Sequence, residues 1–377
     1  MDTQRPPSGR DGFSLIELVI AMGLMSIVLG GAFAALTDVA KANDTVKLVT
    51  GMNSNIRVGM DLVVRDLIQV GQGLPTGRVI AVPSGTGAQP IVRPGPAGTN
   101  YTFDPNATSV SAVTVGAGLG PTINGQPTDM ITTIAADNAF DHVRLSALTQ
   151  TTMTVDPALD ISTMPDEPGD NVRVGDLIML TKQSLSVLKY VTSVQGNVVT
   201  FEQGDPLRLN QVGAEDGTLA QYVAAAPLEQ QGPQCATRPE QCFVPSQATR
   251  IRMISYYLET PNAGDREFRL IRRINAHPPT VVAFSIEQFT ITYDIVDGTL
   301  DPVDVAMNDD DLSGNGACDS AHGTAPDVAC SPNQVRKVNV RLTGRSAQRS
   351  RATGQFFRNS LRTQVSLRSL ALVDRYS

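Results

Sequence analysis

Residues 12–36 read GFSLIELVIAMGLMSIVLGGAFAAL, a glycine followed by an apolar run that contains one charge, Glu17. A membrane-spanning helix needs about 20 predominantly apolar residues, so the run is long enough to cross. An uncompensated carboxylate at the centre of such a helix costs about 2.5–3.5 kcal/mol on insertion scales, which makes Glu17 a residue in need of a partner. A secretory signal would instead put an apolar core of about 7–15 residues behind a basic region and close it with small residues. Here the glycine comes first, although Ala32, Ala34 and Ala35 imitate a late cleavage site. Arg5 and Arg10 lie ahead of the run and place the N-terminus in the cytoplasm, with everything after the span outside it.

Past Leu36 the run turns amphipathic. Val39, Val46, Val49, Met52, Ile56, Met60, Val63, Leu67 and Val70 recur mostly at intervals of three or four, one stripe of a 3.6-residue helix. No proline interrupts residues 13–73, and Gly71, Gly73 and Pro75 then supply a stop. At 1.5 Å per residue, a helix of about 60 residues would be about 90 Å long. Its first half is expected in membrane or among other helices, and its second half against a β-rich domain. Gly23, Gly30 and Gly31, with Ala21, Ala32, Ala34 and Ala35, are small residues that let helices approach in lipid. Glycine is also simply frequent in membrane helices, and both readings stand.

The 377 residues suffice for one large core or two modest ones. A net charge of −7 is mild for this length and does not announce a nucleic-acid binder. Tryptophan is absent while Gly, Pro, Thr and Val abound, which favours short strands joined by turns. The four cysteines form two sequence-local pairs, Cys235 with Cys242 and Cys318 with Cys330, in loops rich in Pro, Gly, Ser or Asp. Neither has CxxC spacing, so two local disulfides in an exported domain are preferred over free thiols or crossed bridges.

Short strands are expected at residues 78–82, 109–115 and 129–134 within a Gly/Pro/Thr/Ser-rich stretch that could equally be loop. A compact β unit follows at 170–181, 185–195 and 197–202, with Gly196-Asn197 as a hairpin turn. Alternating apolar and polar residues mark antiparallel strands at 249–259, 266–274, 284–296, 335–343 and 362–372. The fold class is therefore α+β, a long N-terminal helix packed on an antiparallel sheet.

His142, His277 and His322 are isolated, and the chain has no HExxH, no GxSxG and no phosphate-binding glycine loop. No enzymatic activity is expected, and His277, ahead of two prolines, reads as a surface turn residue. In NDDDLSGNG (308–316), Asp309, Asp311 and Ser313, followed by Gly314, match the first half of an EF-hand-like calcium loop. The glutamate due at the twelfth position is replaced by Ser320, so a calcium site stands as the alternative to a solvated acidic loop, which is preferred. From Asp294 to Asn333 there are nine aspartates and no Lys or Arg, whereas from Gln334 to Ser377 there are ten Lys or Arg and one acid. Arg336, Lys337, Arg341, Arg345, Arg349, Arg351, Arg358 and Arg362 could form a polyanion or nucleic-acid patch. The favoured reading is a solvent face of strands partly neutralised by the acidic loop beside it.

The order Gly12, Phe13, Ser14, Leu15, Ile16, Glu17 resembles the class III signal of type IV prepilins. The resemblance implies cleavage by a prepilin peptidase between Gly12 and Phe13, methylation of the new N-terminus, and a Glu17 that faces the amine of Phe13 in a neighbouring filament subunit. Further on, YYLE, LIRRI, IEQFTITYDI leading into DG, VRKVNVRL and TQVSLRSLAL look like the strands of PilW-type minor pilins and, more distantly, of J-type minor pseudopilins of type II secretion. The implied organisation is a leader at 1–12, a transmembrane or filament-core helix at 13–36, an amphipathic helix at 37–75, a β-rich insertion at 76–245 that matches neither family, and a pilin-like sheet at 246–377. The implied role is a minor subunit that primes or caps a type IV pilus or secretion pseudopilus. It would sit in the bacterial inner membrane with its β region in the periplasm, and then in a filament with other pilin subunits. An adhesin or DNA-uptake module using the insertion is the alternative, and a permanently anchored envelope protein a third.

Overall fold

The computed structural model describes residues 14–75, 80–96, 101–103, 105, 107–156, 161, 171–182, 185–225, 246–260, 267–295, 303–305 and 335–370. The chain divides into two compact units, Met1–Met52 with Ser346–Phe357, and Asn53–Arg345 with Arg358–Ser377. Helix α1 spans Leu15–Ile68, 54 residues with one acid in its first turn and a basic residue in its last. It stops earlier than its stripe suggests because Gly71 and Gly73 take left-handed φ values of 76° and 70°. Gly71 N–H turns away to donate to Ile134 O at 2.9 Å, and a Cβ on Gly73 would stand 2.6 Å from that of Ala136.

The strands are β1 (Ile80–Ala81), β2 (Ser109–Val110), β3 (Val113–Thr114), β4 (Ile131–Ala136), β5 (Val143–Leu148), β6 (Thr152–Val155), β7 (Leu177–Lys182), β8 (Leu185–Tyr190), β9 (Ser193–Gln195) and β10 (Val198–Thr200). A short helix, α2 (Leu219–Ala225), comes before β11 (Gln247–Glu259), β12 (Arg269–Ile274), β13 (Thr280–Phe284), β14 (Ile286–Ile295), β15 (Val303–Val305), β16 (Val335–Arg345) and β17 (Arg358–Ser366). The architecture is α+β: a long N-terminal helix followed by a large β-rich region.

A 13-stranded sheet is organised by β11. Its first residues pair with β7 on one side and β5 on the other, and its later residues pair with β12 and β4. Strands from both sides of residue 245 thus share one sheet. Apart from the single parallel pair Ala81–Val187, the ladders are antiparallel. The second sheet has the order β15-β14-β16-β17. Asp129 ties the two together. Its N–H donates to Phe289 O at 2.9 Å, and its two carboxylate oxygens accept from Gly118 and Ile291 N–H at 2.8 and 2.7 Å.

From Asn53 onward α1 lies on this β region. Met60, Val63 and Leu67 are buried. Close approach depends on missing side chains: a Cβ on Gly59 would lie 3.0 Å from Ala283, and one on Gly344 would lie 2.8 Å from Ile56. Each large apolar side chain so buried contributes about 1.5–3 kcal/mol. Two further clusters fill the 13-stranded sheet, one around Phe140, Met153 and Phe201, the other around Val82, Leu188 and Met253.

Several expected strands shift. The one at 109–115 breaks into β2 and β3, and the one at 185–195 into β8 and β9. The strand expected at 284–296 forms as β14 from Ile286, and Ser285 at φ 53° separates it from an unexpected strand, β13, that ends at Phe284. The terminal strand starts at Arg358 and ends at Ser366, leaving Leu367 and Leu370 buried in a turn. The hairpin at Gly196-Asn197 forms, with Gln195 opposite Val198 and Gly196 at φ 55°, the positive value that primed hairpin turns need at their first central position.

Candidate functional site

Ser14 caps α1, and Glu17 sits at the third helical position. Ser14 N–H donates to Glu17 Oε2 at 3.0 Å, and Ser14 O accepts from Glu17 and Leu18 N–H at 3.0 and 3.2 Å. This is the reach-back arm of a capping box. A carboxylate here also opposes the positive end of the helix dipole. Gly12 and Phe13 lie outside the described residues, as do Cys235, Cys242, Cys318, Cys330, His322 and the loop carrying Asp309, Asp311 and Ser313.

Every residue from 14 to 43 is exposed, among them Leu15 at 80% and Phe33 at 67%. Among the described residues one helix, Leu15–Ile68, is long and apolar enough to cross a membrane by length and composition. Three hydroxyls along it are satisfied by the helix itself. Ser26, Thr37 and Thr45 donate to the carbonyls of Met22, Phe33 and Lys41, one turn back, at 2.8–2.9 Å. That leaves an apolar surface with satisfied backbone and hydroxyl groups, which lipid requires. A methyl added to Gly23, Gly30 or Gly31 would meet nothing within 4 Å, so no packing against the described residues accounts for them.

The buried part of α1 carries a different acid. Asp66 Oδ2 accepts from Tyr256 Oη and Arg272 Nε, both at 2.5 Å, and Oδ1 accepts from Arg272 Nη2 at 3.2 Å. Burial, and then the charge of Asp66, push the Tyr256 hydroxyl far above its ordinary range. This cluster fastens the helix to β11 and β12.

A cleft of about 330 Å³ bordered by β11, the segment leading into β7 and the turn from β12 to β13 holds the other dense set of charges. Arg250 is bound by Asp137 at 3.0 and 3.1 Å and by Asn171 O at 2.8 Å, with Asp176 at 3.8 Å. His277 Nε2 meets Asp176 at 2.8 Å. The imidazole packs where a Cβ on Gly175 would be, 3.0 Å away. His277 does sit in the turn after β12, half-buried and paired with Asp176. His142 pairs with Asp141 at 2.6 Å. Among the described residues no group of three His, Cys, Asp or Glu side chains could hold a metal.

Several basic side chains of these strands are paired within the sheet itself. Glu287 takes Arg358 at 2.6 Å and Arg345 at 3.6 Å, and Asp294 takes Lys337 at 3.7 Å. In the smaller unit Arg351 reaches Asp44 at 3.5 Å, and Arg349 lies over the Phe356 ring at 5.2 Å. Among the described residues the partners of Lys337, Arg345 and Arg358 are Glu287 and Asp294 of β14; the acidic loop beyond residue 305 lies outside the described residues. Arg341 and Arg362 remain, facing one another across β16 and β17.

A family model described as the prokaryotic N-terminal methylation motif matches residues 7–33. No curated protein and no solved structure matches the chain. The motif, a signature of structural filament subunits, begins before the capping box and runs through the exposed apolar helix. Together they support a type IV pilin-like protein, and an apolar helix with that motif fits anchoring in the inner membrane.

Proposed function

We propose that the chain is a minor pilin or pseudopilin, cut between Gly12 and Phe13 by a prepilin peptidase and built into a type IV pilus or type II secretion pseudopilus that it primes or caps. The observation that carries this reading is the match at residues 7–33 on a helix whose apolar side chains are exposed on every side from residue 14 to 43. That surface is shielded first by lipid, with the β-rich region in the periplasm, and then by the helices of neighbouring subunits. Glu17 changes partner along the way. Before cleavage its carboxylate is held by Ser14 N–H; after cleavage a positive amine appears on Phe13, and the Phe13 amine of an adjacent subunit offsets the carboxylate in a low-dielectric bundle. Glu17→Ala is expected to leave cleavage intact while removing the chain from sheared filaments, measured by immunoblot of filament and membrane fractions. Equal incorporation of Glu17→Ala and wild type would defeat the registration role.

A further inference from the structure

β16 and β17 set two arginine pairs directly opposite one another, Arg345 with Arg358 and, four residues along the same face, Arg341 with Arg362. Like charges in directly opposed positions destabilise a sheet. The first pair is relieved by Glu287, whose carboxylate meets Arg358 Nε at 2.6 Å, Arg358 Nη2 at 3.3 Å and Arg345 at 3.6 Å. The second pair has no such relief among the described residues. It borders a groove of about 370 Å³ lined by Thr290, Thr292, Asn339 and Gln364, with no acid in the lining. The acid on the same face, Asp294, is already engaged by Asn339 at 2.7 Å, Gln364 at 3.0 Å and Lys337 at 3.7 Å. Arg341 Nε is buried and finds no acceptor.

We propose that the Arg341–Arg362 groove receives a carboxylate side chain from an acidic peptide segment of a partner protein, clasped as Glu287 is clasped by the neighbouring pair. A planar guanidinium fork matches a carboxylate with two parallel N–H···O bonds. The Thr hydroxyls and the Asn and Gln amides around it offer donors and acceptors to the flanking peptide backbone. Charge complementarity selects the partner: the lining presents two cations and no anion. The proposal goes beyond the filament reading and does not depend on it.

The test uses the full chain in detergent micelles and a fluorescein-labelled peptide of alternating Glu and Ser, followed by anisotropy at moderate salt. Wild type is expected to bind saturably. Arg362→Gln, at an exposed position, is expected to weaken binding by about tenfold or more, a loss of about 1.4 kcal/mol or more. Thr290→Glu works in the opposite sense. Position 290 stands opposite Arg341, so the new carboxylate fills the pair from within, abolishing peptide binding while raising the unfolding temperature. Arg368→Gln, outside the groove, is expected to bind as wild type does. No binding by wild type, undiminished binding by Thr290→Glu or Arg362→Gln, or an equal loss in Arg368→Gln would overturn the proposal. Duplex DNA that displaces the peptide and binds more tightly through the same two arginines would overturn the peptide assignment.

Discussion

Leu24 and Leu67 lie on one helix, yet Leu24 is 61% exposed and Leu67 1%. The acids divide in the same way. Among the described residues Glu17 is held by the backbone of its own helix end, whereas Asp66 is held by Tyr256 and Arg272 from distant strands. Hydrophobic content alone therefore does not say where a residue is buried. A stripe with a partner surface makes a core, and an apolar surface on all sides requires a partner outside the chain. A buried acid with fixed donors is structural, and an acid bound only by a helix end is free to change partner.

The largest effect is expected from Asp66→Ala, which leaves the Arg272 guanidinium buried without its carboxylate. Breaking a buried pair this way costs about 3–5 kcal/mol, to be read from denaturant unfolding of the detergent-solubilised chain. Leu67→Ala comes next at about 2–5 kcal/mol, while Leu24→Ala should change stability by no more than about 0.5 kcal/mol. Equal losses at the two leucines would erase the contrast.

Lys189 extends the comparison to a buried cation. It is 1% exposed, donates to Leu209 O and Gly217 O at 3.0 and 3.1 Å, and is held by burial at a pKa of about 8, against the charge of Asp205. Its folded value lies below its ordinary 10.5, so the folded chain releases this proton before the unfolded chain does. Stability from this group therefore rises as pH climbs from about 8 toward 10.5, by at most about 1.4 kcal/mol per pH unit. Unfolding of wild type and Lys189→Met across that window should show the rise in wild type alone. A small effect on folding is also expected from Glu17→Gln, which weakens a helix end by about 0.3–1 kcal/mol and should leave the unfolding of the β region unchanged.

The helix was legible because both of its halves announce themselves, one by an apolar run and one by a three-four stripe. β11, β12, β14 and β16 were legible from alternation. β5 and β6 were not: β5 carries an irregularity between Leu145 and Ala147 that spoils its period, and β6 is four residues long. β13 was hidden by Ser285, whose left-handed backbone ends one strand and starts the next without a glycine to mark it. The terminal strand was read late because RNSLRT shows few apolar residues, while Leu367 and Leu370 imitate a strand and are buried in a turn. At the N-terminus, Glu17 and its spacing from Gly12 were readable, because the signal is local. The Asp66–Tyr256–Arg272 cluster and the opposed arginine pairs were not, since each depends on a helix–sheet contact or a strand register that spacing along the chain does not encode.

The central claim is that the exposed apolar helix belongs to a processed, filament-forming N-terminus. Its most direct test is intact-mass analysis of the chain purified from membranes after co-expression with a prepilin peptidase. The account predicts loss of residues 1–12 and a chain that begins at a methylated Phe13; a chain that retains Met1 through Gly12 would contradict it.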